Sequence, residues 1–128
     1  GVTGAGSAYV FELISGIWIE TAKIWAGDAG SDEHFGFSVA VSGQRLLVGA
    51  DEDMHAGLFS GAAYVFERGG AGWVQTQKLV ASDAVYGDAF GTSVSLAGDV
   101  ALIGALGDDG PGGNDYGAAY VFEYFAGT

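Results

Sequence analysis

The heptapeptide GAAYVFE is written at residues 61–67 and again at 117–123, and a close copy, GSAYVFE, stands at residues 6–12. A fixed spacing separates a repeat architecture from a coincidence of composition. Tyr9, Tyr64 and Tyr120 lie 64 − 9 = 55 and 120 − 64 = 56 residues apart. The step of 55 also relates Trp18 to Trp73, Lys23 to Lys78, Asp28 to Asp83, Phe35-Gly36 to Phe90-Gly91 and Gly49-Ala50 to Gly104-Ala105. The one extra residue enters between Ala105 and Gly117, in a stretch of Gly, Asp, Asn and Pro where a loop tolerates a change of length.

Within each period the pattern is that of strands. FGFSVAV at 35–41 and FGTSVSL at 90–96 alternate large apolar with small or polar residues, the period-2 signal of a half-buried strand. Ser42-Gly43-Gln44 and Ala97-Gly98-Asp99 supply tight-turn chemistry before LLV at 46–48 and ALI at 101–103, which predicts a hairpin. AYVFE is a third strand; WIETAKI at 18–24 and WVQTQKL at 73–79 are a fourth. The 24 glycines oppose long helices by roughly 1 kcal/mol each relative to alanine. The expected fold is all-β, with four antiparallel strands per blade of a β-propeller. About two blades and a partial one fit residues 1–128 as a single segment: a partial blade at 1–24, a full blade at 35–79, and a blade lacking its outer strand at 90–123.

Charge and composition exclude several functions. Sixteen acidic residues against four basic ones (Lys23, Arg45, Arg68, Lys78) give a net charge of −12, leaving no electrostatic footprint for nucleic acid or an anionic membrane. Hydrophobic residues make up 49% of the chain, which excludes a disordered one. Zero cysteines exclude a disulfide framework and a cysteine nucleophile. No apolar run approaches the ~20 residues that cross a bilayer, so no membrane insertion is expected. Gly1 reads as a cut or processed end.

The order Phe-Gly, then Gly-Ala, then Gly-Ala-Ala-Tyr-Val-Phe, preceded by KLVASDAVYGDAFG at 78–91, resembles the FG-GAP repeat of integrin α-like β-propellers, especially bacterial-type extracellular ones. The likeness rests on Phe35, Gly36, Gly49, Ala50, Tyr64 and Phe66, and on their counterparts Phe90, Gly91, Gly104, Ala105, Tyr120 and Phe122. It implies that the Phe-Gly strand is innermost and the Trp strand outermost. It also implies an extracellular or cell-surface location and a non-enzymatic role in protein interaction or adhesion. One departure matters. Calcium-binding repeats of that family carry an Asp-rich loop between the Phe-Gly and Gly-Ala strands, and here that place holds only VSGQR at 41–45 and LAGDV at 96–100. Such turns cannot supply the roughly six to eight oxygens that calcium takes. The third residue of Gly-Ala-Pro is also replaced, by Asp51 and Leu106.

Acidic loops elsewhere keep a metal reading open. Asp51 and Asp53, and Asp108, Asp109 and Asp115, follow the second strand of successive blades; they either make soluble turns or bind calcium, and no cofactor is expected apart from that calcium. The loops at 28–33 and 83–88 recur before Phe-Gly, which suggests that they fasten one blade to the next through carboxylate to backbone hydrogen bonds. Trp18 recurs as Trp73 and suits a blade edge, whereas Trp25 does not recur and suits a protein or glycan contact. Both are candidate interaction residues. His34 and His55 have no serine or cysteine nucleophile in a recognisable motif, so no catalytic triad is expected. A carboxylate-based hydrolase remains the enzymatic alternative.

The strand count leaves both terminal blades incomplete, with unpaired edges that invite completion. The expected function is a scaffold completed by a larger chain or by further copies of itself, with a structural subunit of a ring or filament as the alternative. Partners would be proteins or more copies of this chain.

Overall fold

A computed structural model describes residues 3–55, 58–110, 113–114 and 116–125. In chain order the strands are β1 (Ala8–Ile14), β2 (Ile17–Ile24), β3 (Phe35–Ser42), β4 (Arg45–Ala50), β5 (Met54–His55), β6 (Leu58–Phe59), β7 (Ala62–Gly69), β8 (Gly72–Leu79), β9 (Phe90–Ala97), β10 (Val100–Ala105) and β11 (Ala118–Glu123). They form a two-stranded sheet β1-β2, a four-stranded sheet β3-β4-β7-β8 and a three-stranded sheet β9-β10-β11, all antiparallel. The all-β fold with blade-like meanders follows the sequence pattern. The small hairpin β5-β6, inside the loop between β4 and β7, does not. Its two-residue strands are too short to carry an alternation.

Alternation decides which face of each strand meets a neighbouring sheet. In the middle sheet Leu47 pairs with Val65 and Val48 with Tyr64, so neighbours along β4 point to opposite faces. One face joins Leu46, Val48, Tyr64 and Phe66 to Ala8, Ile24 and Ala26 from the first sheet and its trailing loop. The other joins Leu47, Ala63 and Leu79 to Phe90, Ala101 and Ile103 of the third sheet. The sheets therefore stack face to face in sequence order, with a separate core in each gap.

The aromatic of each Phe-Gly pair anchors a gap. Phe35 meets Tyr64 and Phe66 edge-on at 5.4 and 6.0 Å, and Phe90 meets Tyr120 and Phe122 edge-on at 5.3 and 6.0 Å. Edge-to-face pairs of this kind add about 0.5–1.5 kcal/mol beyond area burial. The glycines serve the seam between sheets. Gly61 forms a parallel bridge with Phe90, and Gly91 lies against the Ala62 carbonyl oxygen. Their φ values are +86° and +95°, where L side chains are strained, and a Cβ at either would collide with backbone of the adjoining sheet. The Phe-Gly and Gly-Ala-Ala-Tyr motifs are the two sides of one contact.

Equivalent residues show what stacking accomplishes. Leu47 is 0% exposed under the third sheet, but its counterpart Leu102 is 45% exposed; Tyr64 is 0% exposed against the first sheet, but Tyr9 is 53% exposed. Full burial of a large apolar side chain is worth about 1.5–3 kcal/mol. The middle sheet has this on both faces, and each outer sheet on one.

Candidate functional site

The densest group of functional side chains lies where the first two sheets meet. The loop after β2 brings Asp28, the loop after β4 brings Asp53, β7 brings Tyr64 and β8 brings Lys78. The Tyr64 hydroxyl donates to Asp53 Oδ2 at 2.7 Å and reaches Asp28 Oδ1 at 2.8 Å, a single proton shared between two carboxylates. Lys78 Nζ donates to Asp28 Oδ2 at 2.7 Å and to Asp53 Oδ2 at 3.0 Å. It also lies 3.0 Å from Asp53 Oδ1, but the angle there does not make a hydrogen bond, so Oδ1 is held by charge alone. Asp53 is 1% exposed. A carboxylate so buried needs a cation, and among the described residues Lys78 is the one in reach.

The electrostatics follow from this packing. Burial and then the two neighbouring carboxylates push the Tyr64 hydroxyl well above the ordinary tyrosine range. Burial works to lower Lys78, but Asp28 and Asp53 outweigh it and hold the ammonium above its usual value. Burial works to raise Asp28, and the hydrogen bonds from Lys78 and Tyr64 more than offset it, leaving the carboxyl below its usual value. Every one of these three groups is locked in the protonation state that suits a bond between sheets. None is poised near neutrality as a general acid or base would be.

The third sheet carries the same arrangement without the ammonium. Tyr120 Oη lies 2.6 Å from Asp83 Oδ1 and 2.8 Å from Asp108 Oδ2, and burial followed by those two carboxylates raises its hydroxyl as at Tyr64. Among the described residues no lysine or arginine reaches Asp83 or Asp108. The position of Lys78 belongs to a fourth strand, and this sheet has three among the described residues.

Three further straps join the sheets. Arg68 grips Glu12 of the first sheet with both nitrogens, at 2.5 and 3.2 Å. Arg45 reaches the Gly98 carbonyl oxygen at 2.9 Å and Asp99 Oδ1 at 3.1 Å in the third, while its Nε holds Glu67 at 3.2 Å. Ser38 Oγ donates to the Gly91 carbonyl oxygen at 2.7 Å.

The acidic loops divide their labour differently from the sequence expectation. Backbone bonding falls to Glu33, which accepts from Gly30 N, and to Asp88, which accepts from Val85 N at 2.7 Å, both within their own loops. The fastening between sheets falls to Asp28 and Asp83, and it runs through side chains. Sequence reasoning missed the tyrosine hydroxyl and Lys78. The signal was present, because Asp28, Asp53 and Lys78 all recur at the step of 55, as Asp83, Asp108 and, in the other direction, Lys23.

The residues read as calcium ligands do not gather in one place. Asp53 and Asp108 take part in separate tyrosine clusters, and Asp51 lies 3.2 Å from His34 Nδ1. The Asp109 carbonyl oxygen accepts from Asn114 N at 3.0 Å, and Asp115 lies outside the described residues. Among the described residues no three His, Cys, Asp or Glu side chains converge as a metal set. Trp18 and Trp25 are 67% and 61% exposed, whereas Trp73 is half-buried under the Arg68 guanidinium at 5.5 Å. Leu13, Ile14 and Ile17 are exposed beside Trp18 at the β1-β2 turn.

Compared with known proteins, the family described as FG-GAP repeat matches twice in succession, over residues 18–66 and 73–122. No curated protein matches the chain. Among the described residues no helix is long and apolar enough to cross a membrane.

Proposed function

The chain belongs to the FG-GAP repeat family, whose repeats are β-propeller elements of the protein-interaction and adhesion type, and we propose that it acts as a non-enzymatic extracellular scaffold. On this reading residues 1–24, 35–79 and 90–123 are parts of three successive blades. The outer two are completed by a larger chain or by further copies.

The observation that carries the interaction role is the apolar tip of the first hairpin. Leu13 pairs there with Trp18 on one face of the hairpin and Ile14 with Ile17 on the other, and all four are exposed. The same positions of the middle sheet hold Arg68, Gly69, Gly72 and Trp73, a polar corner in which the arginine covers the tryptophan. Residues serving the repeat recur, as the Asp-Tyr-Lys cluster does. The third copy has exposed Tyr124 and Phe125 at the positions of Leu13 and Ile14, so the middle sheet alone is polar here, and an exposed tryptophan paired across the hairpin with a leucine has the composition of a protein contact centre. Trp25, also exposed and unrepeated, lies at the far end of β2 and is a separate candidate contact for proteins or glycans.

The test is binding of the purified chain to arrays of extracellular matrix proteins and glycans, beside a panel of hydrolase substrates. The expected result is a specific partner whose affinity falls at least about tenfold, a loss of roughly 1.4 kcal/mol, in Ile17→Ser/Trp18→Ala. Turnover that disappears when one carboxylate is replaced, with the fold intact, would establish the hydrolase reading instead.

A further inference from the structure

A cleft of about 390 Å³ opens between the loop that carries β5 and β6 and the loop that leads into β9, lined by Asp51, Glu52, Phe59, Tyr86, Gly87 and Ala89. Backbone bonds pin its two walls together: Gly87 N donates to the Phe59 carbonyl oxygen at 2.9 Å, and Phe90 N to that of Ser60 at 2.9 Å. The Phe59 and Tyr86 rings meet at 88° with centres 5.9 Å apart, which makes an aromatic corner, and Tyr86 remains 70% exposed. Among the described residues no lysine or arginine pairs with Asp51 or Glu52. Their neighbour is His34, whose Nδ1 lies 3.2 Å from Asp51 Oδ1 and 3.8 Å from Glu52 Oε1. The fastening of blades does not call for these side chains, since at the step of 55 Asp51 and Glu52 become Leu106 and Gly107, and Tyr86 answers to Ser31.

We propose that this cleft binds a quaternary ammonium group, a trimethylammonium such as that of choline, with the Phe59 and Tyr86 rings against its methyl groups and Asp51 and Glu52 balancing its charge. An aromatic ring attracts a cation through its quadrupole, and the attraction is greatest for an ion that sheds its water easily. A trimethylammonium does so, because it has no proton to donate and its methyl groups are themselves apolar. A primary ammonium brings three protons that each need an acceptor, and Asp51 Oδ1 already accepts from His34. A metal ion needs oxygens in number, and no set of three ligating side chains gathers among the described residues. The net charge of −12 draws any cation toward the surface, and the aromatic corner selects among those that arrive. This site goes beyond the scaffold reading and does not depend on it.

The test is calorimetric titration of the 128-residue chain with choline chloride in about 0.15 M sodium chloride, where long-range attraction is screened. Saturable binding at one site is expected, displaced by tetramethylammonium and not by the same concentration of ammonium. Tyr86→Ser and Glu52→Gln, both at exposed side chains, should each weaken it about tenfold while circular dichroism stays unchanged. Glu20→Gln, which removes one exposed charge from β2, should leave it as it was. Phosphatidylcholine vesicles distinguish the sources of the group: co-sedimentation assigns it to a lipid head group, and choline binding without co-sedimentation assigns it to a free molecule. No saturable heat up to about 20 mM choline, displacement by ammonium as readily as by tetramethylammonium, or an equal loss in Glu20→Gln and Glu52→Gln overturns the site. The scaffold reading keeps its own test, since the binding arrays read the first hairpin and not this cleft.

Discussion

Tyr64 of the middle sheet and Asp28 of the loop after β2, 36 residues apart, are joined by a 2.8 Å hydrogen bond that ties the first blade to the second. Lys78 and Asp53 surround that bond, and the cluster satisfies a buried carboxylate that would otherwise oppose folding. The signature residues of the repeat are thus occupied in holding blades together.

Removing the cation should therefore be costly. Lys78→Met leaves Asp53 buried beside Asp28 without a neutralising charge, and the expected loss is about 3 kcal/mol in urea unfolding. Lys23→Met, the equivalent change where no carboxylate waits, should stay within about 0.5 kcal/mol in the monomer.

Alkaline pH should destabilise the fold through the tyrosines. An unfolded tyrosine ionises near its ordinary value of 10.0, whereas Tyr64 and Tyr120 are held above it by burial and by their carboxylate partners. A raised folded value means that stability is complete below about pH 10 and is lost as the pH climbs beyond it; Lys78, also raised, acts in the same direction. Asp28 is depressed, so its contribution is present above the ordinary carboxylate range and lost on acidification through it. Tyrosinate absorbance should show two tyrosines that ionise only together with unfolding, and one in Tyr64→Phe.

Alanine at the two equivalent motif glycines should separate packing from propensity. A Cβ on Gly49 would collide with the Gly91 carbonyl oxygen of the next blade, a backbone atom that cannot turn aside. A Cβ on Gly104 would meet first the Ser93 hydroxyl, which can rotate away. Gly49→Ala should lower stability by about 2 kcal/mol or more and Gly104→Ala by less than about 1 kcal/mol, measured by denaturant midpoint.

Calcium should matter little. Asp53 and Asp108 are engaged with tyrosine, and the family's Asp-rich loop is replaced by short turns, so excess chelator should leave the melting temperature within about 1 °C. A large drop reversed by calcium and not by sodium would show that Asp51, Asp109 and Asp115 bind the ion.

Much of this was legible in the sequence. The step of 55 residues, the alternation at 35–41 and 90–96 and the Gly-containing turns predict the strands, because each is a local signal that the backbone obeys. The β5-β6 hairpin escaped because Met54, His55, Leu58 and Phe59 show no period. The latch escaped for another reason. Asp28 and Tyr64 are far apart in sequence, and an acidic loop reads the same whether it faces water, calcium or a buried hydroxyl. Only the stacking of sheets, which turns Asp28 onto the next blade, selects among these.

A double-mutant cycle of Asp28→Asn and Tyr64→Phe, read by equilibrium unfolding, tests most directly whether the repeat's polar signature fastens blade to blade. If it does, the two substitutions couple by at least about 0.5 kcal/mol, the double variant losing less than the two single losses together. Losses that add to within about 0.3 kcal/mol would contradict it, because the hydroxyl and the carboxylate would then be independent.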